Sequence, residues 1–374
     1  MDDEIHPGLE GITVAETRLS RIDGEAGTLT IAGYPVSELA PNANYEETLF
    51  LLFEDRLPDA DELAAFQSAL ADRRGVSDEV LAVLERAAAD GATGMDALRM
   101  GAATASLGID GGNGASTAKR VVAAFPTIIA AYWRFRQGEE PIEPRSDLGH
   151  AANYLYMLTG EEPDDAAVRG LETYLNAVID HGLNASTFAA RVVVSTESDL
   201  VSAATAAVGT LKGPLHGGAP GPVLDMLREV HATDDPAGWV RDRLDAGERL
   251  MGFGHRVYRV RDPRAAVLET AAERFYDDTD AFFASVRHFE DVAVAALAEH
   301  SPDRTLETNV EFYTAVLLDG VGIPKALFTP TFAISRVGGW MAHGREQLAD
   351  NRLVRPRARY IGAEGRTWIP LSER

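Results

Sequence analysis

Cysteine is absent from the 374 residues, which excludes disulfide scaffolds, thiolate metal sites and cysteine nucleophiles together. Lysine is nearly absent: only Lys119, Lys212 and Lys325 occur among 35 basic residues, and the others are arginine. Long hydrophobic runs are missing too. The longest nearly apolar stretch, Val121 to Trp133, has 13 residues, contains Pro126 and is bounded by Arg120 and Arg134. That is too short to span a bilayer. The opening Met1-Asp2-Asp3-Glu4 has neither the basic nor the apolar region of a signal peptide, so a cytoplasmic chain is expected.

Acid is in excess, with 58 Asp plus Glu and a formal net charge of −23. Phosphate binding needs clustered cations, so nucleic acid and anionic membrane surfaces are excluded as partners. Such a chain repels itself unless salt screens it, and the Debye length falls to about 3 Å at 1 M. Carboxylates in place of lysine therefore suggest a salt-accumulating halophile. Apolar residues make up 45% of the chain, enough to offset the entropy of ordering and exclude disorder. The length fits two or three domain-sized units, or one large domain with a smaller one attached.

The pattern changes near residue 40. Thr28-Leu29-Thr30-Ile31-Ala32 alternates between Gly24, Gly27 and Gly33, which predicts short strands and turns. From Tyr45 the period is helical: Tyr45, Leu49, Leu52 and Phe53, then Leu63, Phe66 and Leu70, share faces. Ser77 precedes Asp78 and Glu79 as an N-cap would, with Val80 and Leu84 facing inward. Leu171, Leu175, Val178 and Ile179 repeat the spacing. The expected class is all-α, with a small N-terminal β region. The stretch Leu107 to Ser116, rich in glycine, and Gln137 to Asp147 are expected to be loops. The first lacks the Gly-Lys-Ser/Thr ending of a phosphate cradle.

Three of the nine histidines lie in glycine-bordered segments: His181 before Gly182, His216 before Gly217, and His255 after Gly254. Glycine lets the backbone approach a ligand and exposes N–H groups. A lone histidine is more often structural, but three in such settings suggest a site. No close His pair at metal-ligand spacing supports a zinc centre. Arginine is the second signal. Arg264 follows Asp262-Pro263, Arg336 sits between Ile334 and Trp340 in an apolar stretch, and Arg355 stands beside Arg352, Arg357 and Arg359. A cation in an apolar helix is costly unless it is ion-paired or meets an anionic ligand, and both readings stay open for Arg336. The third signal is Glu311 in Asn309-Val310-Glu311-Phe312-Tyr313. It is either a partly desolvated general base or an acid favoured by a helix N-terminus.

In this order, Gly213-Pro214-Leu215-His216-Gly217-Gly218-Ala219, Gly252-Phe253-Gly254-His255-Arg256-Val257-Tyr258 with Asp262-Pro263-Arg264, and Asn309 to Tyr313 resemble the citrate synthase family. The resemblance runs from Gly8-Leu9-Glu10-Gly11 and Ile22-Asp23-Gly24 to Arg355-Pro356-Arg357-Ala358-Arg359-Tyr360, and is nearest the short bacterial and archaeal form. It implies an almost all-helical homodimer. Residues 1–218 and 322–374 would form a large domain and 219–321 a small one that closes over substrate. It further implies condensation of acetyl-CoA with oxaloacetate to citrate. No metal or permanent cofactor is implied; a coenzyme A thioester is a substrate.

Carried onto this sequence, the resemblance gives His216, His255 and Glu311 catalytic roles: enol stabilisation, carbonyl polarisation and proton abstraction. His181, Arg264, Arg336 and a partner subunit's copy of Arg355 would bind oxaloacetate. Asn184 and Ser186 would orient His216, while Met251, Gly252, Phe253, Gly254 and Arg259 would lie along coenzyme A. Two positions depart from the family pattern: Glu311 stands where it has aspartate, and Pro220 where it usually has asparagine. They leave two alternatives standing, a 2-methylcitrate synthase using propionyl-CoA and a catalytically weak paralogue that binds acyl-CoA or a dicarboxylate.

Overall fold

The computed structural model describes residues 5–104, 107, 114–217, 220–276 and 280–374. Met1 to Glu4, Gly108, Gly111, Gly112, Gly218 and Ala219, which figure in the sequence reading, lie outside the described residues. Three short antiparallel strands come first, β1 Ser20–Asp23, β2 Thr28–Ile31 and β3 Tyr34–Pro35, in the order β1-β2-β3. Ser20 pairs with Ile31 and Asp23 with Thr28, so Leu29 and Ile31 face the core. Everything regular after that is helical among the described residues.

The helices run α1 Val36–Asn42, α2 Tyr45–Glu54, α3 Ala60–Ala71, α4 Asp78–Ala89 and α5 Gly94–Thr104. Next come α6 Ala115–Gln137, α7 His150–Thr159, α8 Asp165–Val178, α9 Ala185–Ser195 and α10 Leu200–Leu211. A second group follows: α11 Pro220–His231, α12 Pro236–Asp245, α13 Pro263–Ala272, α14 Ala281–His300 and α15 Val310–Val321. The last is α16 Phe328–Ala349. No helix of the described residues is long and apolar enough to cross a membrane. Helix α6 continues through Pro126, which the apolar run suggested as an interruption, and it buries every residue from Val121 to Tyr132.

Local chemistry explains the helix starts. Asn44 with Glu47 and Asp59 with Glu62 form capping boxes, each side chain accepting the other's backbone N–H. Asp164, Asp199, Asp235, Asp262 and Asp280 likewise cap α8, α10, α12, α13 and α14. Part of the acid excess is therefore structural.

Helix α16 runs through the core, packed against α6, α8, α9 and α10, while α13 and α15 pack on α8. A Cβ at Gly339 would lie 2.3 Å from the Ile179 carbonyl oxygen. Only glycine lets α16 come that close to the end of α8. The approach brings Arg336, Trp340 and His343, which share one helical face, against residues 178–186. Residues 350–374 leave the body as an exposed segment carrying Tyr360, Ile361, Trp368 and Leu371.

Candidate active site

The end of α8 and the face of α16 supply one half of the site. Arg336 is buried, its Nε donates to the Val178 carbonyl at 2.7 Å, and its guanidinium lies 4.6 Å from the Phe332 ring centroid. No carboxylate stands within ion-pair distance of it among the described residues. Burial, with Arg264 nearby and Asp180 opposing, brings its pKa down to about 10. Of the two readings left by the sequence, the ion pair is not seen among the described residues. Behind it, Asp180 accepts from Ser20 Oγ at 2.5 Å and pairs with His343 Nε2 at 3.1 Å, while His343 Nδ1 faces Arg191 at 2.9 Å. Burial raises the Asp180 carboxyl, but His343, Ser20 and Arg336 outweigh it and hold the group ionised.

Segment 252–264 and the start of α15 supply the other half. Gly252 and Gly254 have φ of 88° and 79°, and a Cβ on either would lie within about 3 Å of Phe312 or Leu306. Gly254 N–H donates to Glu307 O at 2.7 Å, Asn309 N–H to Gly252 O at 2.9 Å, and Asn309 Nδ2 to Gly254 O at 3.0 Å. His255 and Glu311 thus stand on one stitched block. Asn309 also caps α15, its Oδ1 accepting Glu311 N–H at 3.0 Å, so Glu311 lies in the first helical turn. Glu311 is thus both desolvated and set at a helix N-terminus. Burial outweighs the helix end and the nearby Arg264, and the carboxyl is pushed up to about 7.

Arg264 is buried and doubly bonded to Asp262, Nε to Oδ1 at 3.0 Å and Nη2 to Oδ2 at 2.7 Å. Burial opposes its charge, but Asp262 more than compensates and raises its pKa. Its Nη1 takes no part in that pair.

Each histidine is neutral and oriented. Burial and Arg264 lower His255 to about 4. Its Nδ1 accepts the N–H groups of Val257 and Tyr258 at 3.0 and 3.1 Å, so its proton sits on Nε2. Burial and Arg336 lower His216 to about 4. Ser186 N–H donates to His216 Nε2 at 3.3 Å, so Nε2 accepts and Nδ1 carries the proton. Ser186 Oγ is held in turn by Asn184 Oδ1 at 2.8 Å and Trp340 Nε1 at 3.1 Å. His181 is buried, its ring 5.5 Å from that of His255 and its Nε2 3.1 Å from Tyr258 Oη. Burial, Arg264 and Arg336 hold it well below the usual histidine range.

His181, His255, Arg264, Arg336 and Glu311 therefore converge, and the field of Arg336 reaches His216 as well. Met251 and Phe253 flank the site on the glycine-rich turn, Phe253 packing on Phe312 at 5.3 Å. Arg259 is exposed, and its N–H donates to the Gly24 carbonyl at 2.9 Å. Arg355 is exposed on the C-terminal segment and does not join the cluster within this chain. Pro220 opens α11, where a missing N–H costs nothing. The loop carrying His216 follows α10, whose end is marked by a Lys212–Asp96 ion pair at 2.5 Å.

The sequence reading missed Tyr258, Asp262, Asp180 and His343. Tyr258 and Asp262 were in quoted motifs without a role. His343 had a signal: it follows Arg336 by two helical turns and so shares its face. Among the described residues no group of three or more His, Asp or Glu could hold a metal ion.

The chain is similar to known proteins over nearly its whole length. A family model described as "Citrate synthase, C-terminal domain" matches residues 8–357. The chain is 45% identical to "Citrate synthase" of Haloferax volcanii, covering 100% of both. It is 38% identical to "2-methylcitrate synthase" of Mycobacterium tuberculosis, covering 97% of this chain and 92% of that relative. A solved ternary complex of carboxymethyl coenzyme A and oxaloacetate with citrate synthase from Thermoplasma acidophilum is similar at TM-score 0.90 and 29% identity, covering 99% of this chain and 100% of that one.

Proposed function

The chain belongs to the citrate synthase family, and we propose that the residues just described carry out condensation of acetyl-CoA with oxaloacetate and water to citrate and CoA. The observation that carries this is the convergence of neutral His255, with its free Nε2–H, a carboxyl near pKa 7 and two buried guanidiniums, with neutral His216 within the field of Arg336. Glu311 takes a proton from the acetyl methyl group. His216 Nδ1–H donates to the thioester oxygen and stabilises the enol. The enol carbon then bonds to the oxaloacetate carbonyl carbon, whose oxygen accepts from His255 Nε2–H. Water hydrolyses the resulting thioester and releases CoA. His181, Arg264 through Nη1, and Arg336 hold the dicarboxylate. Asn184 and Ser186 orient His216. Met251, Gly252, Phe253, Gly254 and Arg259 line the path of coenzyme A.

The remaining readings rest on supporting features. Residues 219–321 form the small domain and 1–218 with 322–374 the large one, consistent with α11 to α15 packing on one another and meeting α8 through α13 and α15. The enzyme acts as a cytoplasmic homodimer: the exposed segment 350–374, with Tyr360, Ile361, Trp368 and Leu371 in solvent, would lie on a partner and bring Arg355 to the partner's site. The net charge of −23 fits work at high salt.

The test is a thiol-release assay with oxaloacetate and either acetyl-CoA or propionyl-CoA, in molar salt and in dilute buffer. Citrate formation should dominate. One methylene is worth about 1–3 kcal/mol of discrimination, so a propionyl-CoA preference would assign 2-methylcitrate synthesis instead. Oxaloacetate binding without turnover would make the chain a binding paralogue. Full activity and fold in dilute buffer would overturn the high-salt reading.

The pH dependence follows from the same groups. Glu311 must be ionised to act as base, so kcat/KM should rise with pH with a midpoint near 7. His216 and His255 are already neutral well below that. A midpoint near that of an ordinary exposed carboxylate would remove Glu311 from the role.

A further inference from the structure

His181 follows α8, and Tyr258 lies on the connection between α12 and α13. Their side chains meet in the interior: Tyr258 is 2% exposed, His181 8%, and Oη lies 3.1 Å from Nε2. The tyrosine ring packs on both histidines, its centroid 4.8 Å from that of His255 and 5.6 Å from that of His181. Its backbone N–H also donates to His255 Nδ1 at 3.1 Å. One residue thus sets the proton position of His255 through its amide and meets His181 through its hydroxyl.

The segment carrying Tyr258 is seated from outside by the turn between β1 and β2. Arg259 N–H donates to the Gly24 carbonyl at 2.9 Å, and a Cβ at Gly24 would lie 2.2 Å from the Val257 carbonyl oxygen. The phenol therefore meets His181 from a backbone held at the next residue. A buried imidazole nitrogen without a partner is costly, and a ring free to rotate would present either nitrogen to substrate.

We propose that Tyr258 is a positioning residue for oxaloacetate: its hydroxyl fixes the ring orientation of His181, so that His181 and His255 face one substrate. This deepens the site reading given above and rests on it. The group acts through His181, with no bond to substrate of its own.

Tyr258→Phe keeps the ring and deletes the hydroxyl. The KM for oxaloacetate should rise about tenfold, with kcat changed by less than about threefold. The KM for acetyl-CoA should stay at its wild-type value, because the hydroxyl faces only the histidine that binds the dicarboxylate. An unchanged KM for oxaloacetate overturns the proposal. So does the same rise in a His181→Phe background, where the hydroxyl has no imidazole to orient. Loss of the cooperative melt in Tyr258→Phe also overturns it, by making the hydroxyl a support of the fold. Wild-type enzyme is titrated with oxaloacetate by calorimetry alongside. Failure to bind there brings down the site reading and this proposal together, whereas normal wild-type binding with an indifferent Tyr258→Phe removes Tyr258 alone.

Discussion

Replacing Glu311 with glutamine is expected to lower kcat by about 10³-fold while oxaloacetate binding stays within about threefold of wild type. The amide keeps the size and the half-buried setting but cannot accept a proton from a weakly acidic methyl group. Steady-state rates with calorimetric binding separate the two effects. A loss confined to oxaloacetate binding would make the carboxylate a substrate contact and move the base elsewhere. Aspartate gives the finer test, because it withdraws the carboxylate by about 1.5 Å. The start of α15 is fixed by Asn309 and by the bonds to Gly252 and Gly254, so the backbone cannot follow. Glu311→Asp should therefore cost about a hundredfold in kcat. A gain in turnover would mean that glutamate impairs this site.

Arg336→Met should separate stability from activity. Oxaloacetate affinity should fall about 10²-fold or more, since a buried guanidinium that meets a carboxylate loses its charge-assisted hydrogen bonds. The substrate-free protein should instead gain a few degrees in Tm. Arg336 has its pKa lowered to about 10 by burial first, with no carboxylate at ion-pair distance among the described residues. For a base whose folded pKa is lowered, the penalty of holding charge is complete below the folded value. It fades as pH rises from about 10 toward the unfolded value. At neutral pH the substitution removes that whole penalty and fills the space with an apolar chain. Calorimetric titration and thermal melts of the same samples check both signs. A lower Tm would show that the guanidinium's bond to Val178 and its contact with Phe332 outweigh the desolvation.

The fold was legible wherever one residue's neighbours in sequence are its neighbours in space. The spacing of Tyr45, Leu49, Leu52 and Phe53 is a helical face, and alternation around Leu29 and Ile31 is a strand, so both could be read locally. The site was legible as segments. His181, His216, His255, Arg264, Arg336 and Glu311 stood out by glycine borders or misplaced charge, and they lie close enough to shift one another's ionisation, His216 through Arg336 alone. What could not be read was long-range complementarity. The Asp180–His343 pair spans 163 residues, and nothing local marks either as the other's partner. Gly339 was visible, but the Ile179 carbonyl it makes room for was not. Proton positions on His216 and His255 depend on N–H groups whose direction only the folded backbone sets. Arg355 shows the same limit from the other side: the resemblance linked a partner subunit's copy of it to the site, and within one chain it stays in solvent.

The Lys212–Asp96 pair has a consequence for side reactions. Acyl thioesters transfer their acyl group to free amines, and the reacting form needs a nitrogen lone pair. Lysine is scarce in this chain, and the one preceding the His216 loop has its ammonium held by Asp96 at 2.5 Å. Asp96 is kept below the usual carboxylate range, first by that bond to Lys212 and then by Thr93. An amine engaged by a carboxylate is a weaker nucleophile, so an enzyme working on activated acyl groups has the lysine beside its His216 loop occupied.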